Sequence, residues 1–100
     1  MDVKVQTVHF KADQKLLDFC EKRLNKLDQF FDSVIGAEVI LKLEKDEERE
    51  NKVSEIKLSV PSNDPLFAKK QAKTFEEAID LTVEALKKQM EKYKTKTINK

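Results

Sequence analysis

The chain has one glycine, two prolines, one cysteine, one histidine and no tryptophan in 100 residues. Each scarcity excludes something. A lone glycine, Gly36, cannot build a glycine-rich phosphate loop or a dinucleotide-binding turn. A lone cysteine, Cys20, excludes an internal disulfide and an all-cysteine metal site. Its place on an apolar helical stripe reads as a small buried hydrophobe. The single histidine, His9, comes with no serine or cysteine nucleophile pattern. No catalytic residue, metal or cofactor is therefore expected, and the chain does not read as an enzyme. No apolar run approaches the roughly 18 residues that cross a bilayer, and no apolar segment follows Met1-Asp2-Val3-Lys4. Neither a secretory leader nor a membrane partner is expected, and a reducing cytoplasm is the expected compartment.

Charge is abundant. Charged residues make up 39% of the chain, yet the formal net charge is only +1. The balance conceals segregation. Residues 1–43 carry seven acids and seven bases, while residues 44–55 carry six acids against Lys45, Arg49 and Lys52. Residues 66–73 hold Lys69, Lys70 and Lys73 without an acid; residues 74–86 hold four acids without a base. The last fourteen residues carry six lysines and one acid, Glu91. Such asymmetry points to a polyanion contact, although a charge run also serves simply to solvate a face.

Hydrophobic periodicity sets the element order. Val3, Val5 and Thr7 alternate with polar residues as a half-buried strand does. Asp13 is placed to cap a helix running to about Asp28, whose apolar stripe is Leu16, Leu17, Cys20, Leu24, Leu27 and Phe31. Gly36 suits a turn of positive φ. A second strand follows with Ala37, Val39, Leu41 and Leu43 on one face, and Asp46–Lys52 reads as an exposed, mobile hairpin loop. A third strand carries Ser54, Ile56, Leu58 and Val60 on one face, and the turn formers Pro61 to Pro65 close a second hairpin. A fourth strand is expected from Leu66 to about Lys73. Thr74-Phe75-Glu76-Glu77 has the form of a capping box. It starts a second helix that runs to about Lys96 with Phe75, Ile79, Val83, Leu86, Met90 and Tyr93 inward. The expected fold is α+β, a single domain over 1–100 of order β-α-β-β-β-α. It has a four-stranded sheet with both helices on one face and a more polar face left free.

The chemistry that is present is cationic. On the second helix Lys88, Lys92 and Lys96 recur every four residues away from the apolar stripe, with Lys87 and Lys94 on the other flank. Ammonium groups so spaced can track phosphates; they also lie favourably at a helix C-terminus. The first helix adds Lys15, Lys22 and Lys26, and Phe19, Arg23, Lys26 and Phe30 fall together on its projection. An aromatic among bases can stack on an unpaired nucleobase, or pack against a neighbouring helix. With Lys69 and Lys70 on the fourth strand, the three basic groups predict one basic face.

At these residues the sequence resembles the ribosome hibernation-promoting factor and ribosome-associated inhibitor family. The resemblance is carried by Lys26-Leu27-Asp28-Gln29-Phe30-Phe31-Asp32, by Ala78-Ile79-Asp80, by Leu86 through Lys96, and by Val39 through Lys45. It implies a fold like that of double-stranded RNA-binding domains, with the two helices running in the same direction. It also implies binding to rRNA in the messenger and transfer-RNA channel of the small ribosomal subunit, which silences ribosomes in dormant or starved cells. Carried over by position, the family's rRNA contacts fall on Arg23, Lys26, Lys42, Lys45, Lys88, Lys92, Lys94 and Lys96. Lys22, Lys69, Lys70 and Lys87 join them on charge placement alone. Departures from the family pattern are Thr74-Phe75-Glu76 where a tyrosine is usual, Ala85 for a lysine, and Ser62-Asn63-Asp64 for a glycine-rich turn. The chain ends at Lys100 without the second domain of long forms or the acidic tail of the inhibitor subtype, so the short hibernation-factor branch is expected. A module that sets its basic helix face against an acidic protein uses the same residues and stays open as the alternative.

Overall fold

A computed structural model describes the chain except residues 32–33, 45–49, 62–63 and 99–100, and describes residues 93–98 by backbone only. The elements are β1 (Asp2–Val8), α1 (Gln14–Phe30), β2 (Gly36–Leu43), β3 (Lys52–Ser59), β4 (Leu66–Ala72) and α2 (Phe75–Ile98). The order is the expected one. Both helices start where the sequence places a cap: Leu16 N–H donates to Asp13 Oδ1 at 2.9 Å and Glu77 N–H to Thr74 Oγ1 at 3.1 Å. Each helix runs about two residues beyond its expected end, at Phe30 and Ile98, a difference within the fraying of helix termini. Tyr93, expected inward on α2, and the Pro61–Pro65 turn at Ser62-Asn63 lie outside the described side chains or residues, as does most of the Asp46–Lys52 loop.

The strands lie in chain order. β1 pairs parallel with β2, and β2–β3 and β3–β4 are antiparallel. Register aligns Val5, Val39, Ile56 and Ala68 across all four strands, and alternation then sends one set of side chains toward the helices. α2 lies across β3 and β4, and α1 packs beside it toward β1. Cys20, Leu24, Val39, Leu41, Ile56, Leu58, Ile79, Leu86 and Met90 are all essentially inaccessible and belong to one core cluster among the described residues. The opposite sheet face carries Lys4, Gln6, Glu38, Lys57, Phe67, Lys69 and Gln71, mostly exposed.

One reading is corrected. Gly36 does not take a positive φ. It opens β2 opposite Asp2, whose carbonyl would lie 3.2 Å from a Cβ, so what favours glycine there is a close backbone approach. The left-handed residue is His9 at φ 67°, in the link between β1 and α1, where an imidazole tolerates a conformation most side chains avoid. The core also holds a polar side chain. Thr82 is fully buried on α2, its hydroxyl 2.7 Å from the Ala78 carbonyl and 3.3 Å from that of Ser54. Helical back-bonding hides such a hydroxyl from a hydropathy pattern.

Ser54 Oγ is buried with no hydrogen-bond partner among the described residues. A buried hydroxyl without a partner costs desolvation and returns nothing. Ser54→Ala is expected to leave stability unchanged or raise it by up to about 1 kcal/mol in urea unfolding; a clear loss would contradict this.

Burial, and next to it the charge of Glu21, push the Cys20 thiol from 9.0 up to about 11. The unfolded thiol ionises first. Its contribution to stability is therefore complete below pH 9 and is lost as pH rises toward 11, at about 1.4 kcal/mol per unit. Cys20→Ala is expected to flatten that alkaline decline, measured by unfolding at pH 8, 9 and 10.

Candidate nucleic-acid interface

The helical layer carries most of the candidate residues. Arg23 Nε lies 2.7 Å from Asp80 Oδ1, and Lys87 Nζ sits 4.7 Å from the centre of the Phe30 ring. Both contacts join α1 to α2 with the same offset, seven residues apart on each helix. The helices therefore run in the same direction, and the two contacts are spaced about 10 Å along them. Between them is a groove of about 330 Å³ lined by Arg23, Lys26, Leu27, Phe30, Asp80, Val83, Glu84 and Lys87.

Its floor is apolar and its walls carry both signs. Arg23 also stacks over the Phe19 ring at 4.7 Å, so its guanidinium is held by an aromatic and a carboxylate together. Asp80 does not lie along the Nε–H direction, which makes this an ion pair without a linear hydrogen bond. The side chains of Arg23 and Asp80 are 41% and 48% exposed. The pair thus adds little to stability, within about 1 kcal/mol, and mainly orients Arg23. Phe30 is 60% exposed, unusual for so large an apolar ring.

Lys22 and Lys26 stand exposed on the outer side of α1, and Lys88 and Lys92 on the outer side of α2. Among the described residues none of the four is paired with a carboxylate. On α2 Lys88 and Lys92 follow the flank where Gln89 donates to the Phe67 carbonyl of β4, while Lys87 occupies the α1 flank. Lys70 lies on the helix side of β4, between the buried Ala68 and Ala72.

The expectation of one continuous basic face is corrected here. Strand alternation places Lys42 and Lys69 on the opposite, helix-free side of the sheet. There Lys42 Nζ pairs with Glu55 Oε2 at 3.8 Å, and Glu55 is registered against Lys69. Lys45 lies outside the described residues, and so do the side chains of Lys94 and Lys96 on the last turns of α2. The structure thus gathers Arg23, Lys26 and Lys87 in the groove, sets Lys22 on the outer side of α1 and Lys88, Lys92 and Lys70 toward the β4 side of α2, and separates Lys42 and Lys69.

Asp80 and Glu84 were not anticipated in the groove. Sequence separations near 57 residues have no local signature, and only the pairing of two parallel helices reveals them. No group of three or more His, Cys, Asp or Glu residues among those described could hold a metal ion, and no described helix is long and apolar enough to cross a membrane.

Fold and surface together define a small α+β domain with an ionic helical layer. The chain belongs to the Sigma 54 modulation protein / S30EA ribosomal protein family, which it matches over residues 3–98. It is 28% identical over 101 residues to the ribosome hibernation promotion factor of Bacillus subtilis, spanning 100% of this chain and about half, 52%, of that protein. It is 27% identical over 96 residues to the ribosome hibernation promoting factor of Pseudomonas putida, covering 96% of this chain and 89% of that one. In fold it is similar to a ribosomal subunit interface protein from Coxiella burnetii, with TM-score 0.82, 20% identity and coverage of 95% and 99%. The N-terminal domain of Thermus thermophilus Protein Y gives TM-score 0.78 at 22% identity, over 93% and 99% of the two chains.

Proposed function

We propose that this chain is a ribosome hibernation factor that seats itself in the messenger and transfer-RNA channel of the small ribosomal subunit. Family membership over residues 3–98 carries the reading. The exposed, carboxylate-free lysines of the helical layer supply its physical basis. Lys22 and Lys26 from α1 and Lys88 and Lys92 from α2 contact rRNA phosphates, with Lys70 at the sheet edge, and Lys94 and Lys96 are proposed contacts as well. Inhibition is by occupancy: a folded domain lies where messenger and transfer RNAs would lie, and no covalent chemistry is needed. A domain seated in a channel meets walls on more than one side, so Lys42 and Lys69 on the helix-free sheet face are compatible with it, and Lys45 stays among the proposed contacts. The setting is the cytoplasm of dormant or starved cells, with the small subunit and its rRNA as partner and no membrane or small-molecule substrate.

Phosphate contacts make binding salt-dependent through counterion release. Four such contacts give a log–log slope of about −3 to −4 against salt concentration. Sedimentation with purified small and large subunits over 50 to 300 mM salt, in the presence and absence of messenger and transfer RNA, tests the reading. Salt-sensitive pelleting with small subunits, displaced by messenger and transfer RNA, is expected. Pelleting with neither subunit at low salt would overturn it.

A further inference from the structure

We infer that the groove between α1 and α2 is a binding site for a single unstacked nucleotide, with the base stacked on Phe30 and guanine preferred. The inference rests on the rRNA-binding reading and names the RNA feature the helical layer takes.

Three observations meet at this place. The Phe30 ring is 60% exposed; the Phe31 ring meets it tilted at 5.4 Å, and over it lies the end of a flexible lysine, with Lys87 Nζ 4.7 Å from the ring centre. A lysine ammonium on a flexible stem swings to a phosphate at small cost and leaves the ring face open to a flat group. The groove, about 330 Å³, is at the small end of the range for small-ligand pockets, and Leu27 and Val83 give it an apolar floor. Its walls, finally, are not uniformly basic. Lys26 and Glu84 both line it, and among the described residues neither has an ion-pair partner, whereas Asp80 is already engaged by Arg23.

A site for phosphate alone gains nothing from a free carboxylate; repulsion would weaken it. A site for a whole nucleotide uses one. A carboxylate offers two acceptor oxygens side by side and no donor. Guanine alone among the four bases presents two adjacent donors, N1–H and the 2-amino group, on its pairing edge. Adenine and cytosine place an acceptor beside their donor, and uracil flanks one donor with two acceptors. Glu84 is therefore the specificity group, Phe30 the stacking platform, and Lys26 and Lys87 the phosphate partners. Such an unpaired base is available in loops and bulges of folded RNA but not inside a duplex.

The probes are single-stranded uridine pentamers with a central guanosine, inosine or adenosine, titrated against the purified chain by fluorescence anisotropy and by NMR. The guanosine pentamer is expected to bind about tenfold more tightly than the adenosine one, with inosine, which lacks the 2-amino group, between them. Glu84→Gln removes the preference while leaving adenosine binding in place. Phe30→Ala weakens all three about tenfold, and because Phe30 is a surface ring, its thermal midpoint serves as a folding control. Equal affinity for guanosine and adenosine, or an unchanged affinity in a folded Phe30→Ala variant, overturns the site. Parallel sedimentation with small subunits separates this result from the broader reading. Ribosome binding with no base preference refutes the nucleotide site alone, whereas base preference without ribosome binding refutes the proposed function and leaves the site.

Discussion

Replacing Lys88 and Lys92 together by glutamate is expected to lower affinity for the small ribosomal subunit about a hundredfold or more at 0.1 M salt. Both side chains are exposed, share one flank of α2 and have no carboxylate partner among the described residues. The change removes two phosphate contacts and substitutes two repulsions, so the salt slope should also fall by about two. Damage to the fold is a separate and much smaller effect. Acids four residues apart on a helix, here following Glu84, cost about 0.2–0.5 kcal/mol per pair, while the core beneath α2 is untouched. Competition binding with labelled protein, alongside a thermal melt, distinguishes the two. An affinity within threefold of the parent in a folded variant would assign this flank to something other than RNA.

Leu86→Ala should produce the largest loss of stability, about 3 kcal/mol within a range of 2–5. Leu86 is completely inaccessible in the middle of α2, in the same core as Ile56, Leu58 and Met90. Truncation removes the transfer free energy of three carbons and leaves a cavity that the sheet beneath cannot easily collapse into. For a chain of this length each kcal/mol lowers the midpoint by about 4–8 °C, so a fall of about 12–24 °C is expected by circular dichroism. Total stabilities of such domains are about 5–15 kcal/mol, so this single change takes a large share. It should also weaken ribosome binding near the melting range, because α2 positions Lys87, Lys88 and Lys92. A loss below about 1 kcal/mol would mean that α2 is not seated on β3 and β4 as described.

What could be read in advance, and what could not, follows the range of the interactions. Alternation in Ala37–Leu43 and Ser54–Val60 identifies strands because each residue's face is set by its immediate neighbours. Asp13 and Thr74 mark helix starts because a cap bonds three residues away. Gly36 was misread because glycine has two uses, positive φ and close approach, and only the position of the Asp2 carbonyl tells them apart. Val53 is fully buried on the side of the sheet away from the helices, where a strand register with Lys42 and Gln71 decides its cover. The candidate site divides in the same way. Arg23 with Phe19, and Lys26 with Phe30, are neighbours on one helix and were legible together. Asp80, Glu84 and Lys87 reach them only through the parallel packing of two helices, and the split of Lys42 and Lys69 to the opposite face depends on strand phase.

Chemical footprinting of small-subunit rRNA tests the central claim most directly. Backbone cleavage is compared on purified subunits with and without the chain, and with the Lys88→Glu, Lys92→Glu variant as control. Protection confined to nucleotides lining the messenger and transfer-RNA channel, and absent with the variant, is the predicted result. Protection only on the outer surface of the subunit, or an unchanged cleavage pattern at saturating protein, would contradict it.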